Sequence, residues 1–142
     1  MEDLPKNFDW RVKGVMPQVK DQLFCGSCWA FAATACLEAH INIDRVLNQN
    51  KTLPLITLSE QSTVDCFHTK PKPKEWRRSD GCQGGDESNL MNEWASSKRY
   101  KFATEHEYPY LGQNDWCKNE SIHGYEEYVV TERHKVPPNN IV

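Results

Sequence analysis

The sequence predicts an α+β protein dominated by helices, and three observations carry that expectation. Residues 27–47 form a long helical pattern that is apolar around most of its circumference. Two shorter helical patterns follow, each opened by a capping residue, Ser59 and Asp86. One strand pattern, Tyr125 to Val130, comes late. At 142 residues the chain is about one domain's worth.

Taken in order, residues 4–24 contain Pro5, Gly14 and Pro17, which rule out a long helix and predict an irregular approach. Ser27 is placed to cap the helix that follows. Trp29, Phe31, Ala33, Cys36, Leu37, His40, Ile41 and Ile43 leave only a narrow polar stripe, Thr34, Glu38, Asn42 and Arg45. Such a helix is expected to be central and buried, with Cys36 an inert buried thiol. Residues 48–54 read as a turn. Ser59 then caps a helix from Glu60 to about Cys66, with Glu60 at the positive end of its dipole. Residues 67–86 form a long loop ending in Gly81-Cys82-Gln83-Gly84-Gly85. Leu90, Met91, Trp94 and Ala95 then give a third, amphipathic helix. Glu107-Tyr108-Pro109-Tyr110 is extended or turn, since a residue before proline avoids the helical region.

Composition excludes several functions. No apolar run approaches the roughly 20 residues of a membrane span, and no secretory signal opens the chain. A net charge of −3 argues neither for nucleic acid nor for a membrane surface, and neither is expected as a partner. The basic run Lys70–Arg78 is expected to be a solvated, proline-stiffened loop. Six cysteines and sequons at Asn50 and Asn119 point to an oxidising, lysosomal or extracellular compartment, with a signal lost alongside an upstream segment.

The chemistry concentrates in Gln22-Leu23-Phe24-Cys25-Gly26-Ser27-Cys28-Trp29. A thiol at the first turn of a helix sits in the field of aligned peptide dipoles, which favours a nucleophilic thiolate. The backbone N–H there can face a developing oxyanion, and a glutamine six residues earlier can supply a second donor. The pair Cys25 and Cys28 also admits a redox or zinc reading. The approach to it is irregular rather than a strand, and Cys66, Cys82 and Cys117 stand singly, which disfavours both. Metal and cofactor are expected to be absent.

These residues resemble the papain-like cysteine proteases, whose nucleophile sits in a C-G-[SA]-C-[WY] block. Leu4–Arg11, Leu58-Ser59-Glu60-Gln61 with Val64-Asp65-Cys66, Gly81–Gly85 and Glu107–Tyr110 match further blocks in order. The resemblance implies a two-lobed fold, one lobe helical and one a β-barrel. This chain would cover the helical left lobe in residues 1–124, and 125–142 would be a first strand and connection toward a right lobe largely missing. Cys28 would be the nucleophile and Gln22 the oxyanion donor. Gly26, Trp29, Gly84, Gly85, Asp86 and Glu87 would line the substrate site, with Gly84 and Gly85 offering backbone to a peptide and Trp29 shielding the thiol. The implied disulfides are Cys25–Cys82 and Cys66–Cys117, where spacing alone leaves the pairing open.

The chain departs from that pattern in places. Leu23-Phe24 stands where the family usually has a glycine and a small residue, and Asp86-Glu87 where apolar residues often line the pocket. The family's catalytic His and Asn lie about 130–150 residues beyond the nucleophile, past Val142. His40, twelve residues along the same helix, would be about 18 Å from Cys28. His68, His106, His123 and His134 read as solvated loop residues. The expected activity is therefore that of a cysteine endopeptidase acting on peptides through a thioester. The chain alone would be almost inert, its His/Asn lobe truncated or carried on a second chain. The alternative is a truncated pseudo-enzyme that binds peptides or proteases.

Overall fold

The helix that begins at Cys28 organises the fold, and its polar stripe faces inward. In this computed structural model residues 5–51, 54–67, 81–96, 100–118, 125–128, 130–132 and 134 are described. Helix α1 spans Cys28–Ile43 and continues as a π-helical turn, Asp44–Asn48. Thr34, Glu38 and Asn42 are all 2% exposed or less, whereas Ala32, Ala35 and Cys36 are exposed. The expectation of a buried Cys36 is thus corrected: its thiol is free and on the surface. The reason lies in backbone hydrogen bonding. Residues 56–58 run beside α1 as an extended segment with few strand partners. Asn42 Nδ2 donates to the Ile56 carbonyl while its Oδ1 accepts from the Ile56 N–H, both at 2.9 Å. Glu38 Oε1 accepts from the Leu58 N–H. Buried backbone groups require partners, and here the polar stripe supplies them.

Helix α2, Glu60–Cys66, forms as expected, with Ser59 Oγ accepting from the Ser62 N–H at 3.0 Å. Helix α3, Glu87–Ser96, is capped by Asp86, whose Oδ1 accepts from Ser88 and Asn89. Trp10–Lys13 and Gly81–Gln83 are short 3₁₀ turns.

Strand β1, Tyr100–Ala103, has no counterpart in the sequence reading. It pairs antiparallel with β2, Tyr125–Tyr128, in the register Tyr100↔Tyr128 to Ala103↔Tyr125. Four residues of Tyr-Lys-Phe-Ala show too little alternation to announce a strand; the partner strand makes it one. Beyond β1 the ribbon is extended by residues 57–59, which bond Ala103 and Glu105.

The core sits where α1, α2, α3 and β1 meet, around Trp29, Ala33, Ile41, Leu58, Val64, Leu90, Trp94 and Phe102. Trp94 and Phe102 stack edge to face at 5.1 Å. Two disulfides, Cys25–Cys82 and Cys66–Cys117, join the loops to this core in the pairing the resemblance implied. The polar face of α2 holds the 108–117 loop: Gln61 bonds Leu111 and Gln113, and Asp65 bonds Tyr108 and Asp115. Expectations for the basic run, His68, Asn119, His123 and the 137–140 tail fall outside the described residues.

Candidate active site

Cys28 is the first residue of α1, exposed and free. The opening N–H groups of a helix have no intrahelical partner, and Ser27, in the capping position, makes no side-chain cap. The Cys28 N–H therefore has no acceptor among the described residues. Gln22 lies on the loop leading into the helix, and its Nε2 donates to the Cys25 carbonyl at 2.9 Å. A carboxamide nitrogen carries two hydrogens, so this bond orients the group and leaves a second N–H for a ligand.

The loop is held from several sides. Cys25 is tied to Cys82 through sulfur. The Gly26 N–H donates to the Cys82 carbonyl at 2.9 Å, and a Cβ on Gly26 would lie 2.5 Å from that oxygen. Only glycine permits the approach. Tyr110 Oη donates to the Gln22 carbonyl at 2.8 Å and lies 2.7 Å from Ser27 Oγ. Leu23 adopts φ 55, the left-handed region where the family's usual glycine is at ease, at a cost of about 1–2 kcal/mol. Its N–H bonds Asp21 Oδ1 at 2.8 Å, and its side chain lies against Gly112, where a Cβ would come within 2.9 Å. The adjacent Phe24 is fully exposed.

Below the loop, Lys20 Nζ bonds Glu38 Oε1 and Glu60 Oε1, each at 2.7 Å, and the Leu58 carbonyl at 2.9 Å. One ammonium thus serves two buried carboxylates. Burial pushes Glu60 up to about 7 despite the pull of Lys20. Burial would lower the Lys20 ammonium, but its carboxylate partners outweigh it and hold it above the ordinary lysine value. Burial also raises Glu105, whose Oε1 accepts from the Tyr110 N–H at 2.9 Å.

The remaining sequence candidates are placed as follows. Gly85 is exposed and Gly84 half-buried. Trp29 is a core residue, 2% exposed, and its Nε1 donates to the Gly81 carbonyl at 3.1 Å. Its ring fills the space beside Gly85, where a Cβ would come within 2.4 Å. Glu87 is exposed on the first turn of α3. His40 bonds the Cys36 carbonyl, His134 pairs with Glu132, and His106 is exposed in a turn. Among the described residues no His/Cys/Asp/Glu group could hold a metal, and no helix is long and apolar enough to cross a membrane.

Sequence reasoning missed Lys20 and Tyr110. Lys20 lies in an irregular stretch where a lone lysine reads as solvated. Tyr110 belongs to a block noted only as a match; its role depends on a contact 88 residues away in sequence.

Comparison with known proteins agrees with this geometry. Residues 4–141 match the family described as papain family cysteine protease. Human cathepsin O is 35% identical over 132 residues, 88% of this chain and 36% of that protein. Chymomexicain from Jacaratia mexicana is 35% identical over 136 residues, 96% of this chain and 54% of that protein. The crystal structure of the Carica candamarcensis cysteine protease CMS1MS2 in complex with E-64 superposes with a TM-score of 0.70 at 32% identity. It covers 96% of this chain and 55% of that one. The chain spans from about a third to about half of the length of these relatives. The described residues form the helical lobe of the papain-like fold, and the chain belongs to the papain family of cysteine proteases.

Proposed function

We propose that this chain is the nucleophile-bearing lobe of a cysteine endopeptidase. The observation that carries the reading is a free, exposed Cys28 at the first position of α1, its N–H unused, beside an oriented Gln22 carboxamide. The Cys28 sulfur attacks a peptide carbonyl, and the oxygen that becomes anionic accepts from the Cys28 N–H and Gln22 Nε2. Each such donor is worth about 3–4 kcal/mol in acyl transfer. An imidazole takes the thiol proton and gives it to the amine as the C–N bond breaks, and water then hydrolyses the thioester. Gly84 and Gly85 offer backbone to the substrate strand.

Glu87, with Asp86, would favour a basic side chain at the second position before the scissile bond. Asp86 Oδ1 caps α3, and an Asp86 turned away in that manner is the alternative in which the pocket stays apolar. The imidazole would come from a His/Asn lobe on a further segment or second chain, and the two disulfides suit a lysosomal or extracellular setting.

The test is hydrolysis of a fluorogenic peptide by the 142-residue chain, alone and with a papain-type barrel lobe added in trans, each against Cys28→Ala. No turnover alone and Cys28-dependent turnover with the added lobe is the expected result. Turnover that survives Cys28→Ala would refute the assignment. Peptide binding without turnover in either arrangement would favour the pseudo-enzyme.

A further inference from the structure

The hydroxyl of Tyr110 bridges two points of the segment that leads into Cys28. It donates to the Gln22 carbonyl at 2.8 Å and lies 2.7 Å from Ser27 Oγ. A phenol has one hydrogen and a carbonyl only accepts, so the direction of both bonds follows. Tyr110 gives its hydrogen to Gln22, and Ser27 gives its hydrogen to Tyr110. Ser27 is fully buried and stands in the capping position of α1, yet it makes no side-chain cap. Serine at that position ordinarily accepts from the second or third N–H of the helix. Here the hydroxyl is engaged with Tyr110 instead, and the Ala30 N–H bonds the Ser27 carbonyl at 2.9 Å.

Tyr110 is itself fixed. Its N–H donates to Glu105 Oε1 at 2.9 Å, and its ring meets Phe31 of α1 edge to face at 4.9 Å. It is held by α1 and by the turn after β1, independently of the loop it restrains.

We infer that Tyr110 is a positioning residue for the oxyanion site. Through the relay from Ser27 to Tyr110 to the Gln22 carbonyl, it sets the distance between the Gln22 carboxamide and the Cys28 N–H. The catalytic consequence rests on the peptidase reading above; the relay itself does not. Burial holds the phenol above the ordinary tyrosine value, so the hydroxyl keeps its proton throughout the working range.

Tyr110→Phe tests this, because it removes one oxygen and keeps the ring contact with Phe31. On the 142-residue chain the readout is amide hydrogen exchange. The Cys25 and Ser27 amides, which bond within the loop, should exchange about tenfold faster as the loop opens locally. The Ser59 and Glu105 amides, on the far ribbon, should not change. Ser27→Ala, which removes the relay's donor, should move the same two amides in the same direction. It stands in as the test if Tyr110→Phe does not fold. Unchanged exchange at Cys25 and Ser27 would overturn the relay.

Where hydrolysis is established, kcat should fall about 10- to 100-fold, a fraction of the loss expected from removing an oxyanion donor outright. KM should stay within about twofold, as for an interaction made only in the transition state. Alkylation of Cys28 by iodoacetamide passes through no oxyanion and should also stay within about twofold. Equal losses in alkylation and kcat would mean a general distortion and would overturn the positioning role. An intact relay in a protein that never hydrolyses peptides would instead count against the peptidase reading alone.

Discussion

Replacing Glu60 with glutamine should remove most of the dependence of stability on pH between mildly acidic and neutral conditions. Glu60 is 1% exposed and shares the Lys20 ammonium with Glu38. With Glu60 protonated, the Lys20–Glu38–Glu60 group is neutral; with it ionised, the group carries an excess negative charge out of contact with water. Burial accordingly raises Glu60 from its ordinary 4.5 to about 7.

The folded state therefore binds more protons than the unfolded state between those values. The stabilisation is complete below about 4.5 and is lost as pH rises through about 7. At about 1.4 kcal/mol per unit, the loss is about 3 kcal/mol, or about 10 °C in melting temperature for a chain of this size. Lys20, raised above its ordinary 10.5, does not titrate in this window. Glu105, raised by burial, adds a slope of the same sign.

Urea unfolding with disulfides intact, at about pH 4.5, 5.5, 6.5 and 7.5, measures the effect through the linear extrapolation. Wild type should lose about 3 kcal/mol across the series and Glu60→Gln clearly less, any remaining loss having the sign that Glu105 gives. Parallel curves for the two proteins would refute the argument.

Gly85→Ala should destabilise by about 2 kcal/mol or more, as overpacking does. The new methyl would enter the Trp29 ring, which its bond to Gly81 keeps in place; a change under about 0.5 kcal/mol in urea would show that the ring can move aside. Cys36→Ser should change stability by less than about 0.5 kcal/mol, as surface substitutions do. A loss above about 1.5 kcal/mol would return that residue to the core.

Local signals made much of this lobe legible. Ser59 and Asp86 announced their helices because a capping oxygen is needed within three residues of its own position, and both caps form. The motif around Cys28 named the candidate nucleophile for the same reason: a helix start is a local event. Its disulfide pairing came from resemblance, since spacing leaves all pairings open. The inward orientation of the polar stripe of α1 was not legible. Hydrophobic periodicity reports which face avoids water, and it cannot register that Glu38 and Asn42 serve the backbone of residues 56–58 as hydrogen-bond partners.

The sequence by itself determined where the helices begin, which cysteine opens α1 and which family the chain resembles, all of which depend on residues a few positions apart. Only the tertiary structure decided that Cys36 faces solvent, that Tyr100–Ala103 is a strand, and that one lysine serves two buried glutamates. It also decided that Tyr110 joins Gln22 to Ser27. Each of these is fixed by groups tens of residues apart, brought together because burying a backbone or charged group requires a partner from wherever the chain can supply one.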